Sequence, residues 1–472
     1  MGFIYGLAVF LVIFEGIMFQ CEGAGDETSS KWLQNAPTIE RGIPSLPHDL
    51  TVKIFSDFDL NTMRIAVDLE LISATNPVVS SKLQNYIIDI TTNPDHRINE
   101  YSIYGHLVLE LGGYDTIESF FNTFGDQVKK IKINYNLKIW TEPSKKNVNI
   151  IKKYAKYLEQ LQIIAIDSQG LWEELSDRKN IITFPEVKKF EFCGHIKRNK
   201  FKLSSIFPKL ESLSLNADEK CLEDVKGLKE LTLCICSKKG NKLKRIFQHN
   251  TNITIFSIQC PEEAKTMRWI AKHLNELKTL KIEFAGRKIL SQAKDKAVYK
   301  LSSVIHFYIS YSDLDNLVDI GNLSFEMPNL KKLTFKDSTA DDRIVNFINY
   351  FKELEEVELL VPNYNAVKCI GKLGHIKELT FHYITYMRSN GDENRWQEQF
   401  SSLENEFKNF DENFKLQTLK FLFYRELSNE CRETEMERIK IRLGESMNPI
   451  WTLSYEKEIG TDRNYFIFKR KH

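Results

Sequence analysis

Along much of this chain apolar residues return in a six-residue block, L-x-x-L-x-L, with aliphatic or aromatic residues at the first, fourth and sixth places. It reads Val187-Phe190-Phe192, Leu210-Leu213-Leu215, Leu228-Leu231-Leu233, Ile253-Phe256-Ile258 and Leu277-Leu280-Ile282. It continues as Val304-Phe307-Ile309, Leu330-Leu333-Phe335, Leu354-Val357-Leu359 and Ile376-Leu379-Phe381. These nine starts lie 23, 18, 25, 24, 27, 26, 24 and 22 residues apart, and weaker copies begin at Val128, Leu161, Leu416 and Ile450. Alternation puts the fourth and sixth side chains on one face of a short strand. Between blocks the period becomes helical. Pro261-Glu262-Glu263 opens a stretch with Met267, Ile270, Ala271 and Leu274 at three-and-four spacing, and a proline in the first turn loses no hydrogen bond. Thr339-x-x-Asp342 is a capping-box-like start before Ile344, Phe347, Ile348 and Phe351. The pattern predicts units of one helix and one strand, stacked with a parallel sheet on the concave side and helices on the convex side. No such unit is stable alone.

The block and its spacing resemble the leucine-rich-repeat family, whose units run to roughly 20–29 residues. The resemblance covers about residues 190–455 closely and 125–185 loosely, and it implies an α/β leucine-rich-repeat solenoid. One place departs from the family. Three residues after the third apolar place the family carries Asn or Cys, which bonds neighbouring backbones. Here that place holds His195, Asp218, Cys236, Pro261, Ala285, Ser312, Ser338 and Pro362, so only Cys236, with Asn136 in a weak copy, fits. In this the repeats are more similar to the irregular repeats of F-box proteins than to those of cell-surface receptors, whose arrays also carry cysteine-rich caps.

Upstream, Leu46-Pro47-His48-Asp49-Leu50-Thr51-Val52-Lys53-Ile54-Phe55-Ser56-Asp57-Phe58 resembles the opening of an F-box. Pro47 suits a first turn, Asp49 suits the positive end of the helix dipole, and Leu50, Ile54 and Phe58 share a face. The resemblance implies that Leu46, Pro47, Leu50, Ile54, Phe55 and Phe58 form a surface that docks on the adaptor of a cullin-type ubiquitin ligase. Read from the residues alone, the same segment is an amphipathic cap over the first strand of the array, which a repeat protein requires. The second half of the F-box pattern is replaced by Val67-Asp68-Leu69-Glu70-Leu71.

Composition changes the picture only by exclusion. The 472 residues hold 65 Lys+Arg against 64 Asp+Glu, so the net charge of +1 provides no general attraction to nucleic acid or anionic lipid. The chain contains no G-x-S-x-G, H-E-x-x-H, G-x-x-x-x-G-K-[ST] or G-x-G-x-x-G, the common nucleophile, zinc, phosphate and dinucleotide signatures. His195, His306 and His375 fall in or beside repeat strands with no partner triad, and Lys469-Arg470-Lys471-His472 reads as a solvated tail. No enzyme, cofactor or metal is expected.

Phe3 to Phe14 is an unbroken apolar run of twelve residues, the length of a signal-peptide core, with Cys21 and Gly23 as the small residues before a cleavage after Gly23. The chain then divides into a signal peptide (1–23), a linker (24–45), the F-box-like helical segment (46–85), irregular and divergent repeats (86–186), the array (187–455) and a C-terminal edge with its basic tail (456–472). Seven cysteines would remain, too few and odd in number for a disulfide framework. Cys236 and Cys260 lie eight and seven places after the starts of adjacent repeats, a candidate bridge between strands ~4.8 Å apart. The competing expectation is that all seven are reduced and buried. Asn252 and Asn322 head glycosylation sequons, Asn-Ile-Thr and Asn-Leu-Ser.

The x places of ten blocks hold nine Lys and seven Glu, a mixed surface unlike a nucleic-acid stripe. Ile255, Ile305, His306 and Tyr308 interrupt it with apolar and aromatic groups, the anatomy of a protein-binding patch within a charged rim. Signal, F-box-like segment and degenerate repeats together resemble the secreted leucine-rich-repeat proteins of parasitoid-wasp venom. That resemblance implies a secreted, non-enzymatic protein that binds or decoys a host protein, with Toll-type immune signalling as the setting. It implies no nucleic-acid partner and no membrane attachment after signal removal. The alternative is an intracellular substrate receptor of a cullin-type ligase, in cytoplasm or nucleus, with the ligase adaptor as partner. Material secreted by insect cells is expected to lack residues 1–23 and to carry a glycan at Asn322, with less at Asn252; intact-mass measurement checks this, and a full-length cytosolic product would contradict it.

Overall fold

The computed structural model describes residues 63–64, 67, 73–74, 76–91, 98–103, 106–135, 142–165, 182–196, 202–217, 222, 224–234, 241–259, 264–284, 298–311, 324–336, 342–360, 372–383, 415–423, 451–457 and 464–471. All belong to one unit, Phe58–His472. The apolar run at Phe3–Phe14, the F-box-like residues Leu46, Pro47, Leu50, Ile54, Phe55 and Phe58, and Asn322, Cys236 and Cys260 lie outside the described residues.

The strands are β1 (Tyr86–Thr91), β2 (Ile98–Ile103), β3 (His106–Leu111), β4 (Lys130–Tyr135), β5 (Gln160–Ala165), β6 (Lys189–Ile196), β7 (Ser212–Ala217), β8 (Glu230–Cys234), β9 (Ile255–Gln259) and β10 (Thr279–Phe284). They continue as β11 (Val298–Lys300), β12 (His306–Tyr311), β13 (Ser324–Glu326), β14 (Lys332–Lys336), β15 (Glu356–Leu360), β16 (Glu378–Tyr383), β17 (Thr418–Phe423), β18 (Trp451–Lys457) and β19 (Asn464–Arg470). Seventeen of them form one sheet. From β3 it passes to β1, then through β4 to β10 in order, then β12, β14, β15, β16 and β17, and every neighbouring pair is parallel. β2 lies antiparallel outside β3, while β19 pairs antiparallel with β17 and β18 antiparallel with β19. This is an α/β protein with one long, mostly parallel, solenoid-like sheet.

The sequence block is the repeating unit of that sheet. All 27 apolar places of the nine strong blocks are at most 4% exposed. Fourth-place residues pair with fourth-place residues strand after strand, from Ile131 and Leu161 through Phe190, Leu213 and Leu231 to Leu379 and Leu419. The sheet crosses residue 187 without a break, because β5 pairs with β6 in the same register. Two expectations need correction. The weak copy assigned to Leu161 starts at Leu158, since Leu161 pairs with Phe190 and is a fourth-place residue. The copy assigned to Ile450 belongs to the terminal antiparallel pair: β18 meets β19 and does not continue the parallel array. Lys469 and Arg470, read as a tail, are the end of β19.

A further buried row lies three residues before each block, at Ala155, Phe184, Phe207, Val225, Leu274, Leu301, Met327, Phe351 and Leu373. In most units its carbonyl accepts the N–H of the first-place residue, as in Val304 to Leu301 (3.1 Å), Leu330 to Met327 (3.1 Å) and Leu354 to Phe351 (3.2 Å). Pro185, Pro208 and Pro328 take the second place of this tight turn, where their fixed φ fits. One unit solves the turn differently. Gly227 sits at φ 81°, a conformation that costs a side chain roughly 1–2 kcal/mol, and Leu228 N–H donates to Oδ1 of the buried Asn250 (3.0 Å). Asn250 Nδ2 donates in return to Val225 O (3.0 Å) and to Ile246 O (2.9 Å). The amide thus bridges an opened turn of the preceding unit.

Helices and short strands cover the buried face. α1 (Pro77–Asn85) is capped by Asn76, which accepts from Val78 N (2.9 Å), and carries Pro77 in its first turn. α2 (Tyr114–Phe124) buries Ile117, Phe120, Phe121 and Phe124. Gly125 follows it so closely that a Cβ there would meet Phe121 O and the Tyr154 ring of α3 (Glu142–Tyr154). α4 (Leu203–Ile206) is a single turn. α5 (Asn241–His249) sets Phe247 edge-on to Phe256, with ring centres 5.2 Å apart. α6 (Ala264–His273) buries Met267 and Ile270, and α7 (Asp342–Tyr350) buries Ile344 and Ile348.

On either side of β12 the described residues also hold two short strands. There β11 and β13 pair with each other in a separate two-stranded parallel sheet, and Phe325 of β13 packs on Phe307 at 5.5 Å. Among the described residues no helix is long and apolar enough to cross a membrane. Replacing Asn250 by Ala leaves a buried N–H and two carbonyls without this bridge and is expected to cost about 2–4 kcal/mol. The exposed neighbour Asn252→Ala is expected to cost less than about 0.5 kcal/mol, and urea unfolding of the two variants checks both figures.

Candidate protein-binding face

The third, fifth and seventh places of each strand face away from the core, and the pairing aligns them into rows that cross the sheet. The second place joins them for a local reason. The backbone carbonyl of each second-place residue accepts two N–H groups from the next unit, those of its second and third residues. Lys278 O, for instance, takes Ile305 N (2.9 Å) and His306 N (3.0 Å), and Ile305 O takes Lys331 N (2.9 Å) and Lys332 N (3.0 Å). Two residues facing one acceptor make a bulge, so first and fourth places both point inward while second and third both point out.

Charge alternates along the second-place row from Lys129 through Glu159, Lys188 and Glu211 to Lys229, and again from Lys331 through Glu355 to Lys377. Ion pairs follow the alternation: Lys129–Glu159 (3.8 Å), Lys229–Glu211 (3.0 Å), Lys331–Glu355 (3.0 Å) and Lys377–Glu355 (3.1 Å). The Lys331 and Lys377 ammonium groups hold the Glu355 carboxyl below its usual range. In the third-place row Lys332 pairs with Glu356 (3.6 Å), and Lys420, a fifth-place residue, reaches Glu378 (2.6 Å).

The four sequence-predicted residues fall where this ladder stops. Ile255 is the third-place residue of β9, and it pairs with Thr279 of β10, which pairs with His306 of β12. Tyr308 stands at the fifth place beside Lys281. Ile255 and His306 are therefore two strands, about 10 Å, apart. Ile305, at the second place, is 44% exposed, the described large apolar residue with most exposure on this stretch of the face.

His306 does more than occupy the surface. Its Nε2 lies 3.0 Å from Thr334 Oγ1, whose hydroxyl donates to Glu358 Oε2 (3.0 Å); Glu358 Oε1 in turn accepts from His382 Nε2. Thr334 spends its one proton on Glu358, so His306 Nε2 must be the donor to it. The chain crosses β12, β14, β15 and β16. Burial, then Lys332 and Lys281, lower the His306 pKa to about 4, so at neutral pH it is an uncharged imidazole. Burial alone would raise the Glu358 pKa; the bond to His382, the charges of His382 and Lys332, and the Thr334 hydroxyl bring it to about 2. Because His306 donates to the Thr334 hydroxyl, it is not placed to take a proton from it. The network orients side chains on the face.

Thr334, Glu358 and His382 were not singled out as a group by the sequence. The block frame places them at outward fifth and seventh places, and that frame was the only signal available for them. His375 has a local role in the turn before its strand, with Nε2 3.2 Å from Phe351 O. Cys193 is exposed and Cys234 half-buried on the outward face, which corrects the expectation of buried thiols at these two positions. Burial, then the Glu191 carboxylate, raise the Cys193 pKa. Asn252 is exposed in a turn, where its Oδ1 accepts from Thr251 (3.1 Å). Among the described residues no three His, Cys, Asp or Glu side chains gather as metal ligands.

The arrangement defines a class: a solenoid-like α/β protein whose outward sheet face carries ordered rows of side chains. No protein-family model matches the chain, and no curated protein matches it.

Acid is expected to unfold the protein in two overlapping ranges. Between pH 6.5 and about 4 the unfolded chain takes up a proton at His306 that the folded chain refuses. Between pH 4.5 and about 2 the same holds at Glu358. In both ranges the unfolded state binds more protons, so stability falls as pH falls. His306→Gln is expected to remove part of the loss in the upper range and leave the lower one, measured as melting temperature against pH.

Proposed function

We propose that this chain is a leucine-rich-repeat solenoid with an F-box-like helical segment at its N-terminal side, and that it works by binding a protein on the outward face of β9 to β12. The observation that carries the reading is the interruption of the charge ladder. On the flanking strands the outward places hold paired lysines and glutamates, whereas here they hold Ile255, Ile305 and Tyr308. Aromatic and aliphatic anchors within a polar rim are what protein interfaces use, and an exposed isoleucine on an otherwise charged sheet has no role in the core. The hydrogen-bonded chain from His306 to His382 gives the patch a fixed border.

With the apolar run at Phe3–Phe14, the reading extends to an exported, non-enzymatic protein that binds or decoys a host protein, of the kind the venom resemblance implies. Co-purification of a cullin-ligase adaptor with the full chain, abolished by Leu50→Asp, would favour the intracellular substrate receptor instead.

Peptides selected from a random display library on the full chain are expected to bind this face. Tyr308→Ala or Ile305→Glu should weaken them by about 1–2 kcal/mol, roughly tenfold. Tyr350→Ala, a substitution of an exposed aromatic on α7, should leave them unchanged. Affinities that respond to none of these variants, with folding intact, would remove the patch from the binding surface.

A further inference from the structure

Two lysines in the middle of the face lack the carboxylate partner that many outward cations have. Lys129, Lys132, Lys229, Lys331, Lys332, Lys377 and Lys420 each stand within 4 Å of a carboxylate on the same or a neighbouring unit. Lys278 and Lys281 of the β10 unit do not, and neither do Lys188 and Lys189 of the β6 unit, whose outward neighbours Glu159, Gln160, Glu211 and Ser212 are polar. The neighbours of Lys278 and Lys281 on one side are Thr254, Ile255 and Ser257, and on the other Ile305, His306 and Tyr308. Glu283, further along β10, is engaged by Gln259 Nε2 at 2.8 Å. Among the described residues neither Lys278 nor Lys281 forms an ion pair. His306 adds no charge of its own at neutral pH. The strand thus presents two lysines with no carboxylate within 4 Å among the described residues, one exposed and one half-buried, flanked by apolar and aromatic side chains.

Resting on the protein-binding reading above, we infer that this patch takes an acidic protein segment, with an apolar or aromatic anchor seated on Ile305 and Tyr308 and carboxylates meeting Lys278 and Lys281. The complementarity is local. Charge here selects the partner and its orientation, while the anchor supplies contact area. A nucleic acid fits less well, because it needs a continuous basic track, and Glu355, Glu356 and Glu358 of the β15 unit interrupt one only two strands from β12.

The test uses the full chain and the same random peptide library. Selected peptides are expected to be enriched in Asp and Glu beside a hydrophobic residue. A synthetic peptide of that composition should lose at least about tenfold in affinity to the double variant Lys278→Glu, Lys281→Glu. The same reversal at Lys188 and Lys189, distant on the same face, should leave it unchanged. The milder pair Lys278→Gln, Lys281→Gln keeps the test open if the reversal disturbs folding.

Peptides without acidic enrichment, or bound equally well by the reversed protein, overturn the inference; if they still weaken with Tyr308→Ala, the protein-binding reading stands alone. Peptides indifferent to both lysines and to Tyr308 and Ile305 overturn both. A single-stranded oligonucleotide that displaces the acidic peptide at equal concentration overturns the assignment to a protein partner.

Discussion

Along the parallel array from β5 to β17, each unit hangs on one carbonyl. The second-place residue offers a single backbone oxygen, and two consecutive N–H groups of the next unit share it, at 2.8 Å and 3.0 Å for Lys377 O with Gln417 N and Thr418 N. The shared acceptor recurs at Lys129, Glu159, Lys188, Glu211, Lys229, Thr254, Lys278, Ile305, Lys331, Glu355 and Lys377. It kinks the chain by one residue, which is why L-x-x-L can bury both of its ends. The tight turn before the block feeds the first place into this line. Where Gly227 opens that turn, Asn250 restores the lost bond from the following unit.

A register set by backbone bonds leaves the outward side chains free to vary, because none of them decides how the strands align. Exposed ion pairs of the kind that line this face contribute little to stability, typically ~0.2–1 kcal/mol each. Their effect is on what the face presents. Where lysine and glutamate alternate, most of the charges are paired with a neighbour. Where Thr254, Ile255, Ile305 and Tyr308 replace them, Lys278 and Lys281 keep their charge and the apolar groups keep their exposure. The polar chain from His306 through Thr334 and Glu358 to His382 sits beside that gap and draws four strands into one electrostatic unit. Glu358 stays ionised there although it is only 23% exposed, since three partners stabilise its charge.

Much of this was legible in the chain itself. Period-two alternation inside the block and helical spacing after Pro261 and Asp342 are short-range signals, and strands and helices formed where they stood. Ile255, Ile305, His306 and Tyr308 could be placed on the outward face by counting along the block. The same counting misplaced the copy near Leu161 and extended the array to Ile450, because an isolated apolar triplet does not reveal its pairing partner. Leu158 is the true start only because Leu161 must face Phe190, and β18 leaves the array only because β19 takes the place beside β17.

By itself, then, the sequence determined the unit: which residues go inward, how long each repeat is, and which face carries the charges. Those properties depend on the pitch of a strand and the apolar character of a side chain, both local. Only the tertiary structure decided which charges meet, that Asn250 serves the unit before its own, that β11 and β13 pair in a sheet of their own, and that His306 donates into a chain ending at His382. These depend on distances between residues some 24 positions apart, fixed by the stacking of one unit on the next.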